Sequence, residues 1–329
     1  MRYLITGGAG FIGSHLAELL INHGHEVIII DNLHSGTTKN LSPIIHSNLL
    51  TFHEIDIRVI KENNEAFSKV DCVFHLAGLA DIVPSIEQPK KYYDVNVSGT
   101  VAVLEACRYH SIPKLVYAAS SSCYGTPEEY PTCEDAKIKP AYPYALTKYL
   151  GEQAALHWGQ VYGISVTSLR LFNVYGPRSR TSGAYGAVFG VFMAQKIHRK
   201  PYTVVGDGTQ SRDFTFVTDV AEAFRVCAIS GGENEVFNIG SGEHHSVNRL
   251  CELLVGEIVY IPKRPGEPQT TFADITKIKQ KLGWKPIVKF EKGVETMLKH
   301  KEDWVHAPLW SQKTIEDATK SWFNYLKEN

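Results

Sequence analysis

The chain has 329 residues, 43% apolar and 21% charged, a composition typical of a soluble globular protein whose core needs no disulfide or metal staple. The 34 Lys and Arg against 35 Asp and Glu leave a formal charge of −1, which argues against a sequence-wide nucleic-acid or anionic-membrane footprint. No apolar run approaches the roughly 18 residues of a membrane span, and the six cysteines, with no C-x-x-C pair, read as buried thiols of a reducing cytoplasm.

Arg2-Tyr3-Leu4-Ile5 is a short apolar run stopped by Thr6-Gly7-Gly8. Over 11–23, Phe11, Ile12, Leu16, Leu19 and Leu20 recur near the 3.6-residue period, which predicts a helix ended by Gly24. Residues 27–30 are apolar on both faces, as buried parallel strands are. Runs at 49–55, 70–76, 114–119 and 165–169 repeat the theme, with helical patterns over 93–109 and 144–162. This alternation predicts an α/β fold built on a doubly wound parallel sheet.

Beyond about residue 170 the texture changes. Residues 175–186 carry neither period, whereas 214–217 and 236–239 read as strands that rejoin the first domain. The expected organisation is therefore interleaved. A dinucleotide-binding domain takes 1–170 with about 213–240, and a smaller α/β substrate domain takes 171–212 with 241–329. Near the end, Thr314-Ile315-Glu316-Asp317 resembles a capping box, followed by Ile315, Ala318, Trp322, Phe323 and Leu326 at helical spacing, a helix docked on the body.

The segment TGGAGFIGSHL follows the first strand and opens the first helix. It satisfies G-x-x-G-x-x-G through Gly7, Gly10 and Gly13, and G-x-G-x-x-G through Gly8, Gly10 and Gly13. Such glycines permit a tight turn and let backbone approach a pyrophosphate at the helix N-terminus. Asp31 ends the next strand, where a carboxylate bonds a ribose diol and repels a 2′-phosphate, so the pattern points to a Rossmann-type domain that prefers NAD over NADP.

Y-x-x-x-K is a weak motif alone. Here Tyr144 and Lys148 share one face of a predicted helix, and Ser120 stands 24 residues earlier, where an apolar strand ends. A phenol has an ordinary pKa near 10, while a base working at neutrality wants about 7, a gap of about 4 kcal/mol. A neighbouring Lys148 ammonium and a cationic oxidised nicotinamide together supply that, with Ser120 bonding the same substrate oxygen.

These motifs, with His75-Leu76-Ala77-Gly78, NVSGT at 96–100, SSSCYG at 120–125, LRLFNVYGPR at 169–178, GDGTQSRDF at 206–214 and RPGE at 264–267, make the chain resemble the extended short-chain dehydrogenases/reductases that modify nucleotide sugars. It most resembles the UDP-glucose/UDP-N-acetylglucosamine 4-epimerase branch. That resemblance implies a cytoplasmic NAD enzyme that epimerises carbon 4 of a nucleotide-linked hexose through a transient 4-keto sugar, with Ser120, Tyr144 and Lys148 catalytic.

It also implies Phe11 and Ile12 at the NAD pyrophosphate, Asp31 and Asn32 at the adenosine ribose, Asp56 and Ile57 at the adenine, and Leu76, Ala77 and Ala80 along the cofactor cleft. Ser120, Ser121, Ser122 and Asn173 would hold the substrate, Arg212 and Arg264 its diphosphate, and Glu267 its nucleotide ribose. Ala80 replaces a lysine often present in glucose-type epimerases. Thr271 stands where a bulky tyrosine often limits the sugar pocket, which favours N-acetylhexosamines.

Ser121 and Ser122 occupy the positions at which a 4,6-dehydratase carries an Asp-Glu pair, which disfavours elimination of water. A net 4-dehydrogenase or ketoreductase on an unusual sugar uses the same triad and stays open. A non-catalytic NAD-sensing regulator is remote, because the Tyr-Lys pair is intact. His244-His245 reads as solvated loop rather than a metal site, and no metal is expected. Helical patterns apolar beyond one face at 93–109 and 144–162 lead to a homodimer assembled through a four-helix bundle.

Overall fold

A computed structural model describes residues 1–181, 187–230, 232 and 234–326. Its first half alternates as the pattern demands. Strand β1 (Arg2–Thr6) leads into helix α1 (Phe11–Asn22), then β2 (Glu26–Asp31), β3 (Leu50–Glu54) and β4 (Cys72–His75). Helices α2 (Ile82–Glu87) and α3 (Pro89–Tyr93) run through a π-turn at Asp94–Ser98 into α4 (Gly99–Tyr109), so the predicted helix 93–109 carries a wide turn at its start. Strand β5 (Lys114–Ser120), helix α5 (Pro143–Tyr162) and strand β6 (Ser165–Leu171) follow.

The second half holds β7 (Asn173–Tyr175), α6 (Val188–Ile197), β8 (Tyr202–Val205), β9 (Ser211–Arg212), β10 (Phe214–Phe216), α7 (Val217–Ser230) and β11 (Glu235–Ile239). Then come β12 (His245–Ser246), α8 (Val247–Leu254), β13 (Ile258–Ile261), α9 (Thr276–Leu282), α10 (Phe290–Lys299) and α11 (Gln312–Tyr325).

Seven parallel strands form the main sheet in the order β11-β6-β5-β4-β1-β2-β3, so the winding direction reverses between β1 and β4. Successive residues serve opposite faces, as the pleat requires. Ile5, Ile29, Phe74 and Val116 pack with Leu16 and Leu20 of α1 and Phe224 and Cys227 of α7. Leu4, Ile28, Val73 and Leu115 pack with Val103, Leu104 and Cys107 of α4 and Ala155 of α5. A third core, with Tyr175, Phe189, Phe214, Phe216 and Phe290, holds the second half together.

Two of the late strands behave differently from one another. β11 joins the main sheet beside β6, as its pattern led one to expect. The segment 214–217 does not: β10 pairs with β7 in a separate two-stranded ribbon, which fixes Asn173 and Arg212 near each other. Five cysteines are buried, but Cys133 is exposed. The expected capping box starts three residues early, with the Ser311 hydroxyl accepting from Thr314 N and the Thr314 hydroxyl accepting from Ser311 N. Of the segment 175–186, residues 182–186 lie outside the described residues.

Candidate active site

A cleft of about 1660 Å³ opens at the carboxyl ends of the main strands, along the point where the winding reverses. Open α/β sheets bind ligands at that place. Gly7, Gly10 and Gly13 line it, whereas Gly8 faces Ile29, so the G-x-x-G-x-x-G spacing is the one the cleft uses. Gly7 has φ +72°, and a Cβ on it would stand 2.7 Å from Ala77 N. A Cβ on Gly13 would stand 2.3 Å from Gly7 O.

Helix α1 has Gly10 at its N-cap, so no side-chain cap, and no acidic residue in its first turn, and Phe11 and Ile12 line the cleft beside it. Open N–H groups, a positive dipole end and side-chain-free backbone suit a dinucleotide pyrophosphate. The chain therefore fits NAD here on its own geometry.

Asp31 ends β2 and is 7% exposed. Its Oδ2 accepts from Ala9 N at 3.0 Å and its Oδ1 from Leu33 N at 2.8 Å, which fixes the carboxylate at the rim. Burial pushes its pKa up, and those two bonds oppose the shift. Asn32 Nδ2 donates to Asp56 Oδ2 at 2.8 Å, and Arg58 grips the same carboxylate, holding it well below the usual range. Ile57, Leu76, Ala77 and Ala80 complete this side of the cleft.

The catalytic candidates meet at the end of β5. Tyr144 Oη donates to Ser120 Oγ at 3.2 Å, and Ser120 Oγ lies 2.7 Å from Ser122 Oγ. Ser120, Ser121, Ser122 and Tyr144 all line the cleft. Burial raises the Tyr144 pKa, with the Ser120 bond opposing it, so the protein side chains alone do not bring the phenol to neutrality. Lys148 is buried beneath the cleft rather than lining it, and burial pulls its ammonium down to about 8 while the Glu152 charge raises it.

Several residues that fix this geometry escaped the sequence reading. Lys148 Nζ stands over the Tyr117 ring on β5. Asn96, in the π-turn, donates to Leu79 O at 3.0 Å and to Thr147 Oγ1 at 3.1 Å, and accepts from Leu79 N at 2.8 Å. It thereby ties the loop after β4 to α5. The NVSGT motif at 96–100 marked its position in the sequence but not its role, because π-turns leave no periodicity to read. One turn past Lys148, Glu152 makes a buried fork to Arg170 on β6 at 2.7 and 3.0 Å, locking α5 to the sheet.

On the far wall, Glu267 sits between two guanidiniums. Arg212 Nη2 donates to it at 2.8 Å and Arg264 Nη1 lies 3.7 Å away. Thr271 Oγ1 donates to Asn173 Oδ1 at 2.7 Å, so the small residue at 271 also orients Asn173. Buried Asp213 accepts from Ser241 N, Ser241 Oγ and Ala273 N, which anchors the strand carrying Arg212. His244 and His245 turn apart, one ring against Phe272 and the other stacked on Phe290.

A glycine loop at the winding reversal, an acidic end to β2 and a Ser120–Tyr144 pair with buried Lys148 one helical turn further on are arranged as in a short-chain dehydrogenase/reductase. The family model described as GDP-mannose 4,6 dehydratase matches residues 4–297. A UDP-glucose 4-epimerase of Mycolicibacterium smegmatis is 35% identical over 302 residues, covering 89% of this chain and 96% of that protein. The structure of a UDP-glucose 4-epimerase of Thermotoga maritima with UDP-glucose superposes with a TM-score of 0.85 at 34% identity, over 92% of this chain and 99% of that one. A UDP-glucuronic acid 4-epimerase of Bacillus cereus, solved with UDP-glucuronic acid and NAD, gives 0.86 at 30% identity over 92% and 99%. The chain belongs to this family of extended, NAD-dependent, nucleotide-sugar-modifying short-chain dehydrogenases/reductases. No helix among the described residues is long and apolar enough to cross a membrane.

Proposed function

We propose that this chain is an NAD-dependent 4-epimerase of a UDP-linked hexose, glucose/galactose or the N-acetylhexosamine forms. Tyr144 Oη takes the proton of the sugar 4-hydroxyl, Ser120 Oγ bonds the same oxygen, and the Lys148 charge favours the phenolate from below. NAD, held by the Gly7–Gly10–Gly13 loop and Asp31, would supply the reversible hydride acceptor for carbon 4. Arg212 and Arg264 hold the diphosphate while the 4-keto sugar turns to present its other face, and Asn173 and Glu267 bond the diphosphate and the nucleotide ribose. Planar guanidinium forks suit phosphate oxygens.

The observation that carries this reading is the Tyr144–Ser120 bond facing a cleft whose adjoining positions are hydroxyls, Ser121 and Ser122. Elimination of water at carbon 6 needs a carboxyl acid and base there. Asp81, whose charge reaches Tyr144, is already paired with Arg180 at 2.8 Å. The small side chain of Thr271 on the cleft wall supports a sugar bearing a 2-acetamido group. The proposal extends to a cytoplasmic homodimer through α4 and α5, supported by Tyr109, Leu146, Val161 and Tyr162, which stand exposed on those helices.

The test is incubation with UDP-, GDP-, CDP- and dTDP-sugars and identification of products by NMR. A 4-epimer with no net NADH is expected. Stoichiometric NADH would instead assign a dehydrogenase, and a 4-keto-6-deoxy product a dehydratase.

A further inference from the structure

Helix α11 lies beyond the 4–297 stretch that the family model matches, yet it forms part of the cleft wall through Trp322. Trp322 is 4% exposed. Its Nε1 donates to the Pro265 carbonyl at 2.7 Å, and the Arg264 guanidinium lies 5.5 Å from its ring centroid. The Tyr142 ring is 6.4 Å away and is itself stacked at 6.3 Å on Tyr144. From the neighbouring position, Ser321 Oγ donates to Glu87 Oε1 at 2.8 Å on α2, whose first residues line the cofactor side of the cleft. The helix thus links α2 to the arm at 264–267 along the cleft wall.

That arm has little structure of its own. β13 ends at Ile261, and Gly266 has φ +67° with nothing within 4 Å of where its Cβ would be. External contacts hold Arg264 and Glu267 in one geometry: Arg212 bonds Glu267 at 2.8 Å, and the indole adds two more, a hydrogen bond to the backbone between them and a π face beneath the guanidinium. Loops fixed in the bound conformation bind more tightly because less ordering is left for the ligand to impose.

We infer that α11 belongs to the nucleotide-sugar site and that Trp322 is a positioning residue, ordering the arm that carries Arg264 and Glu267 and so setting affinity for a nucleoside diphosphate. The inference rests on the reading of Arg264 as a diphosphate-binding residue.

The test is calorimetric titration of the full-length, NAD-loaded protein with UDP, using Trp322→Ala, Trp322→Leu, Trp322→Phe, Arg264→Ala and the Trp322→Ala/Arg264→Ala double variant, with melting curves alongside. Trp322→Ala is expected to weaken UDP binding about tenfold and to raise KM far more than it lowers kcat. Trp322→Phe keeps a ring beneath Arg264 and should recover part of that affinity. In the Arg264→Ala background the Trp322→Ala loss should shrink to about twofold, because residues acting through one contact are non-additive. UDP binding unchanged in Trp322→Ala, or in Trp322→Leu if the alanine variant fails to fold, overturns the inference. So does an equal loss in both backgrounds. If Arg264→Ala itself leaves UDP binding intact, the reading of the arm fails instead.

Discussion

Lys148 Nζ lies 4.5 Å from the centroid of the Tyr117 ring, and the Tyr117 hydroxyl donates to the Lys148 carbonyl at 3.2 Å. A buried ammonium is thus faced by the negative side of an aromatic ring, a contact worth about 2 kcal/mol when desolvated. With its pKa already down at about 8, Lys148 stays largely charged at pH 7, with little in reserve. Tyr117→Leu removes the π face, so the ammonium is lost near neutrality and the phenol is harder to ionise. The ascending limb of kcat against pH should move up by about one unit, whereas Tyr117→Phe should leave it in place.

Tyr144→Phe keeps the ring packed beside Tyr142 and deletes the group that takes the 4-hydroxyl proton. Turnover should fall on the order of 10²–10⁴. UDP-sugar affinity should change far less, because Ser120, Arg212 and Arg264 are untouched. Turnover near the parent's would mean that another residue is the base.

Lys148 also burdens the fold. Its pKa is about 8 here against an ordinary 10.5, so between those pH values the unfolded chain binds more protons than the native one. Stability therefore rises as pH climbs from 8 to 10.5, and below 8 the full penalty stands, on the order of 3 kcal/mol. Lys148→Met should raise the melting temperature at pH 7 by a few degrees while crippling turnover, and the gain should vanish near pH 10.5. Melting curves at the two pH values check both parts, and a lower melting temperature at pH 7 would contradict the sign.

NAD should bind strongly in preference to NADP. Asp31→Asn should weaken NAD and narrow the gap to NADP, since it removes the charge that repels a 2′-phosphate. Calorimetry with both cofactors reads this directly, and equal affinities in the parent chain would refute the role of Asp31.

The glycine loop, the strands of the main sheet and the Ser-Tyr-Lys set were legible because each is a local pattern on a regular element. The pairing of 214–216 was not. A three-residue apolar strand fits several edges equally well, and its partner β7 is itself only three residues long, too short to show a period. Tyr117 reads in sequence only as a strand residue, since its contact with Lys148 exists only once α5 lies across β5. Trp322 likewise reads as core spacing on a terminal helix, and nothing local says that its N–H reaches Pro265. The start of α11 was missed because its box closes with Thr314 at N3 rather than Glu or Gln.

The edge position of β11 bears on any attempt to trim the gene. A fragment ending near residue 170 would keep the glycine loop, Asp31 and the catalytic set. It would also leave β6 as a raw sheet edge and strip Phe224 from Phe74, whose rings now meet edge to face at 6.2 Å. Unpaired edges recruit other chains. Such a fragment should precipitate rather than serve as a minimal dinucleotide binder, and stability-raising substitutions in either half will register in a single melting transition of the whole chain.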